Sequence, residues 1–124
     1  MGVITMEYRK LGRTGIKVSA IGIGGEGFEN KSYEDCEAMI DFAIKEGINF
    51  IDIYNSNPEV RSNVGKALRK YSRSSFVIQG HLGSTWDNGQ YRRTRDVNEV
   101  VNALYLVRTD LRALISMFQS MLLS

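Results

Sequence analysis

Apolar and polar positions change period several times along the chain, and each change marks an element. Tyr8-Arg9-Lys10-Leu11 and Ile16-Lys17-Val18 alternate apolar and polar side chains, with Gly12-Arg13-Thr14-Gly15 between them. Two alternating runs joined by a short connection whose glycines reach positive φ predict a β-hairpin. Ala20 to Gly24 follows as a first buried strand, ending in Gly25-Glu26-Gly27. From Ser32 the period lengthens. Cys36, Met39, Ile40, Ala43 and Ile44 recur at three and four, the stripe of an amphipathic helix over residues 32–46. Ser32 is placed to cap it with Asp35 three residues on, and Gly47 to stop it.

Ile48 to Asn57 is the run around which the rest is arranged. Ile48, Phe50, Ile51, Ile53 and Tyr54 form a nearly continuous apolar segment between two helical patterns, as in a parallel strand covered on both faces. Asn57 and Pro58 then predict the N-cap and first residue of a second helix over 58–70, with Val60, Val64, Ala67 and Leu68 on its buried face. Phe76 to His81 is a third strand. A polar loop from Leu82 to about Arg95 leads to Asp96, the cap of a third helix whose stripe is Val97, Val100, Val101 and Leu104. Strands alternating with helices predict right-handed parallel crossovers in strand order one-two-three, either with the helices on one face of the sheet as in a barrel or on both faces as in a doubly wound sheet.

The chain has 124 residues, enough for one small domain. A formal charge of +2 gives no reason to expect nucleic acid as a partner. The start has no apolar run long enough for a signal peptide, so neither a membrane nor secretion is expected and the cytoplasm is the expected compartment. Cys36 is the only cysteine. It can form no internal disulfide or cysteine cage for a metal, and on the helical stripe it reads as a small core residue.

Candidate chemistry starts with Asp52, which interrupts the central apolar run. A carboxylate near the carboxyl end of a buried strand is costly unless paired, and that end is where α/β folds keep their sites. A capping or ion-paired structural acid is the alternative. His81, the single histidine, ends the third strand. With neighbouring strands about 4.8 Å apart, the two side chains form an acid–base pair if they leave on one face. Gly22-Ile-Gly-Gly-Glu-Gly27 fits the G-x-G-x-x-G pattern of a Rossmann-like dinucleotide-binding domain, but Phe28 to Lys31 intervene before the helix cap and a hairpin precedes the strand. Arg92, Arg93 and Arg95 suit either a phosphate or a solvated loop, and Trp86 and Tyr91 either a pocket or a folded-back loop.

Taken together these residues resemble the aldo-keto reductases over residues 7–103. The resemblance rests on Tyr-Arg-Lys-Leu-Gly-Arg-Thr-Gly-Ile-Lys-Val-Ser, Ile-Gly-Ile-Gly-Gly, Glu-Gly-Ile-Asn-Phe-Ile-Asp and Val-Gly-Lys-Ala-Leu. It implies an α/β fold in which an N-terminal β-hairpin precedes about three βα units of a (β/α)8 barrel. The barrel is incomplete, since such barrels need about 250 residues. It also implies NADP(H) as cofactor and a small-molecule carbonyl as substrate; no metal site is expected. Asp52 stands at the family aspartate. The family tyrosine position holds Asn57 and the family lysine position His81, while the family histidine falls beyond the similarity. Tyr54 shares a face with Asp52 and is another source of a phenol. Gly24, Gly25 and Glu26, with Asp52, match the segment beside the nicotinamide.

Residues 104–124 depart from the family and read as a helical tail, with Leu104, Val107, Leu111, Leu114, Phe118 and Met121 on one stripe. Codons for Ala113 to Phe118, shifted by one nucleotide, can encode Tyr-Ile-Asp-Val, which suits a fourth strand. The expectations are an oxidoreductase fragment of one partial domain, inactive as this chain, whose open sheet edges favour self-association. Against it stands a non-catalytic interaction module using the terminal amphipathic helix.

Overall fold

A computed structural model describes residues 5–110. Of the expected tail, 104–124, residues 104–110 continue the third helix, while residues 111–124, with the shifted-frame segment, lie outside the described residues. Strands β1 (Tyr8–Lys10) and β2 (Lys17–Ser19) pair antiparallel, Tyr8 opposite Ser19 and Lys10 opposite Lys17. The Leu11 N–H donates to the Ile16 carbonyl at 2.8 Å, closing the four-residue connection. Asn49 latches this hairpin to the rest of the chain. Its Oδ1 accepts from the Ser19 N–H at 2.7 Å, and its Nδ2 donates to the Lys17 carbonyl at 3.1 Å. The Tyr8 hydroxyl adds a bond to the Gly47 carbonyl at 2.7 Å.

Strand β3 is only Ile23–Gly24, shorter than the expected Ala20 to Gly24. Ile21 is 62% exposed, because the Ser19 hydroxyl donates to the Ile21 carbonyl at 2.6 Å and bends the chain away from the sheet. A 3-10 turn, Gly25–Phe28, follows. Helix α1 (Tyr33–Lys45) begins as expected, with the Ser32 hydroxyl accepting from the Asp35 N–H at 3.1 Å. At its end Gly47 takes φ +86°, and the N–H groups of Gly47 and Ile48 bond the carbonyls of Ile44 and Ala43. That is a Schellman stop. Met39 does not join the buried stripe and is 40% exposed.

Strand β4 (Phe50–Ile53) pairs parallel with β3 on one side and with β5 (Val77–Gly80) on the other, giving the order β3-β4-β5. Ile51 and Ile53 are buried with Cys36 and Ile40 of α1 and with Val60, Val64, Ala67 and Leu68 of helix α2 (Pro58–Leu68). Both helices therefore share one core on one face of the sheet. The doubly wound alternative, with helices on opposite faces, is not what forms. The other face, carrying Phe50 and Asp52, is only half-buried among the described residues. The expectation of cover on both faces fails there, and the Phe50–Asp52 face is where the candidate site lies. Burial pushes the Cys36 thiol above its ordinary value, as befits a packed core group.

Residues 82–95, read as a polar loop, contain a second hairpin. Strand β6 (Ser84–Asp87) pairs antiparallel with β7 (Gln90–Arg93), Trp86 opposite Tyr91. Asn88 and Gly89 both have positive φ, 49° and 76°, as a two-residue type I′ turn requires. Arg92 pairs with Glu99 at 2.8 Å and lies 3.5 Å from Asp87, so it braces the hairpin against helix α3 (Val97–Asp110). The α3 stripe also needs correction. Ala103 is buried, whereas Val97, Val101 and Leu104 are exposed at 73%, 43% and 40%. The helix packs against α2 and β6, with Ala103 buried. No helix among the described residues is long and apolar enough to cross a membrane.

Candidate functional site

Asp52 and Gly24 are register partners in β4 and β3, so they face the same way, on the open side of the sheet. Asp52 is likewise opposite Gln79 in β5, and alternation puts His81 on that face two residues further on. The result is a contact. His81 Nε2 lies 2.7 Å from Asp52 Oδ1, with both side chains about a third exposed (33% and 36%). With the proton on Nε2, the imidazole donates to the carboxylate. The Gln79 amide flanks the same nitrogen at 3.1 Å. The pair expected from strand geometry thus forms at the carboxyl edge of the sheet, beside Gly24.

Tyr54 extends the cluster. It meets the His81 ring edge-on, with centroids 5.3 Å apart, and lies against Tyr91 at 6.1 Å with the rings 29° from parallel. The Tyr54 and Tyr91 hydroxyls are 3.1 Å apart. That bond, with the Arg93 guanidinium beside it, holds the Tyr91 phenol below the ordinary phenol value and raises Tyr54. Either hydroxyl can be the donor in that bond. A cleft of about 510 Å³ opens here between the 3-10 turn and the second hairpin, lined by Glu26, Tyr54, Trp86, Gln90 and Tyr91 among others.

Asn57 stands apart from this cluster. Its Oδ1 accepts from the Glu59 N–H at 2.9 Å to cap α2, and its Nδ2 donates to Glu29 Oε1 at 3.2 Å. Asn55 also donates to Glu29. Asn57 is therefore engaged in holding the β4–α2 turn to the 3-10 segment. Gly25 is fixed by packing, since an added Cβ would lie 3.0 Å from the Asp52 carbonyl oxygen and 3.3 Å from the Ile53 Cα. Gly24 is different. A Cβ there would meet nothing within 4 Å, so the backbone beside Asp52 is bare. Among the described residues no group of three or more His, Cys, Asp or Glu could hold a metal ion.

Sequence reasoning missed Glu29 and Gln79 and left Trp86 and Tyr91 undecided. Asn88-Gly89 between Trp86 and Tyr91 was the available signal, because it sets those two rings opposite each other.

Comparison with known proteins bears on the family and the fold. Aldo-keto reductase YhdN of Bacillus subtilis is 32% identical over 85% of this chain. L-galactose dehydrogenase of Arabidopsis thaliana is 30% identical over 86% of it. The chain is a homologue of the aldo-keto reductases. It spans 35% and 37% of the length of these two relatives. No family model matches. Among solved structures, a putative aldo-keto reductase of Pseudomonas aeruginosa superposes with a TM-score of 0.74 at 24% identity, over 85% of this chain and 42% of that one. Aldo-keto reductase AKR11C1 of Bacillus halodurans in its holo form gives 0.73 at 23% identity, over 86% and 37%. At such identities these superpositions speak for the fold, the hairpin and βα units of an aldo-keto reductase barrel.

Proposed function

We propose that this chain supplies one part of an NADP(H)-dependent carbonyl-reductase site, with Asp52 and His81 at its centre. The observation that carries the proposal is the Asp52–His81 contact of 2.7 Å, on the same open face as the bare backbone of Gly24. A planar ring can lie flat where no Cβ stands, so the residues present fit the nicotinamide end of the cofactor. Gly24, Gly25 and Asp52 would hold it, with Glu26 at the rim. When bound, the reduced nicotinamide supplies a hydride to a carbonyl carbon. Asp52 fixes the imidazole of His81 by accepting its N–H, and His81 sets a polar edge beside the place where the carbonyl would sit. As a 124-residue polypeptide, the chain binds the nucleotide without appreciable turnover, because the rest of the wall around a substrate belongs to the other strands of a barrel.

Titration with NADPH, following energy transfer from Trp86, the single tryptophan, tests this. Saturable binding that Asp52→Asn weakens is the expected result. Absence of saturation, or indifference to Asp52→Asn, would refute it. A second reading, a non-catalytic interaction module, draws on the exposed Val97, Val101 and Leu104 of α3. It predicts no nucleotide binding at all.

A further inference from the structure

We infer that the cleft between the 3-10 turn and the second hairpin is a binding site for a small organic cation, an alkylammonium group seated against aromatic rings and facing two carboxylates. The site lies beyond the reductase reading and does not depend on it. Tyr54 of its lining meets the His81 ring, but neither Asp52 nor His81 lines it.

Two separate features of the cleft call for positive charge. The first is its wall. Trp86 and Tyr91 are register partners across β6 and β7, so both leave the hairpin on one face, and Tyr54 lies against Tyr91 at 6.1 Å. All three rings line the cleft. An aromatic ring carries negative potential on its face, and a cation within about 6 Å of the centroid is attracted to it, most strongly where water is excluded.

The second feature is charge. Glu26 and Glu29 line the same cleft, whose lining among the described residues includes no Lys, Arg or His. Glu29 is held in place, its two oxygens accepting from the side-chain amides of Asn55 and Asn57. Asn55 is 7% exposed, and its Oδ1 accepts from the Asn57 N–H at 2.8 Å, so the amide that steadies Glu29 is itself fixed. Amides are neutral donors. They orient the carboxylate and leave its charge in the cleft. Among the described residues neither Glu26 nor Glu29 forms an ion pair with a Lys, Arg or His. Arg93 stands beside the Tyr91 hydroxyl, outside the lining.

Walls and charge together select the ligand class. An anion meets two carboxylates, and an uncharged body leaves them without a partner. A divalent metal ion takes about six oxygen ligands, and no group of three or more His, Cys, Asp or Glu among the described residues could hold one. An alkylammonium group spreads its charge over the hydrogens around nitrogen, so it packs on rings and faces carboxylates at once. The cleft of about 510 Å³ has room for such a group with a short chain attached.

The test uses the full chain and two probes of one shape, choline and dimethylbutanol, its uncharged isostere in which carbon replaces the nitrogen. Binding is read from the single indole N–H resonance of Trp86 at constant ionic strength. Choline is expected to bind saturably and about ten-fold more tightly than the isostere. Glu29→Gln should weaken choline about five-fold and leave the isostere unaffected. Glu26→Gln changes an exposed side chain, so the fold is kept, and should weaken choline about two-fold. Tyr91→Leu keeps apolar area but removes a ring, and should weaken choline about three-fold, with unchanged amide shifts in β6 showing that the hairpin persists. The inference is overturned if choline gives no saturable shift, if the isostere binds as tightly, if sodium chloride alone reproduces the shift, or if both glutamate variants bind choline as wild type does. A failure of NADPH to bind would instead remove the reductase reading and leave the choline-to-isostere ratio as it was.

Discussion

Adjacent glycines at the end of β3 should respond oppositely to the same substitution. In Gly25→Ala the new methyl would lie 3.0 Å from the Asp52 carbonyl oxygen and 3.3 Å from the Ile53 Cα. Both are backbone atoms of the central strand, so neither can swing aside. Either β3 moves off β4 by a few tenths of an ångström or the ladder through Ile23–Ile51 and Gly24–Asp52 distorts. Overpacking of this kind costs about 1–3 kcal/mol. Loss of unfolded-state freedom returns about 0.4–1 kcal/mol, leaving a net loss of about 1–2 kcal/mol. With a urea dependence of about 2 kcal/mol per molar, the unfolding midpoint falls by roughly 0.5–1 M. Gly24 has φ −89° and ψ 126°, which alanine adopts freely, and its Cβ meets nothing within 4 Å. Gly24→Ala should therefore leave the midpoint unchanged or slightly raised, while its methyl stands on the Asp52 face and weakens NADPH binding. Urea titration followed by circular dichroism reads the first effect and NADPH titration the second. A Gly25→Ala midpoint equal to wild type, or a clearly lowered midpoint for Gly24→Ala, would refute the reasoning.

Leu68→Ala empties a fully buried position in the core shared by α1, α2 and β4, and should cost about 2–5 kcal/mol in urea unfolding. Asn57→Ala should cost about 1 kcal/mol through the lost cap and leave NADPH affinity unchanged, which separates its structural role from a catalytic one. The Asp41 carboxyl is held below its ordinary value by hydrogen bonds from Lys70 and Tyr71. A lowered folded-state value gives stability that is complete above the unfolded carboxylate value and lost as pH falls through the folded one. The urea midpoint should accordingly drop on acidification below about pH 4, less steeply in Lys70→Ala. Strands β3 and β5 flank the parallel sheet with no further partner among the described residues, and Phe76-Val77-Ile78-Gln79 carries no charge. Sedimentation at micromolar concentration should show self-association through those edges, and a monodisperse monomer would contradict it.

The first hairpin, the order of the three parallel strands and both helix caps were legible because each has a local cause. Ser32 and Asn57 cap through their own side chains, and Gly47 takes the positive φ that its position as a helix stop demands. The Asp52–His81 pair followed from alternation once the strands were set in order. What was not legible depended on partners distant in sequence. The face of Phe50 and Asp52 looked covered because its residues are apolar around Asp52, yet cover is a property of neighbours. The second hairpin was hidden by polar strands, since Ser84 to Asp87 and Gln90 to Arg93 alternate weakly, although Asn88-Gly89 marked the turn. Asn57 was a site candidate only through the resemblance; it caps α2 as expected, and its bond to Glu29, a partner distant in sequence, was not legible.

The most direct test of the central claim is an NMR titration of the isotopically labelled chain with NADPH. The account predicts saturable shifts at the Gly24 and Gly25 amides, Asp52 and the His81 ring, reduced in Asp52→Asn. Shifts that never saturate, or that fall elsewhere and leave Gly24 and His81 untouched, would contradict it.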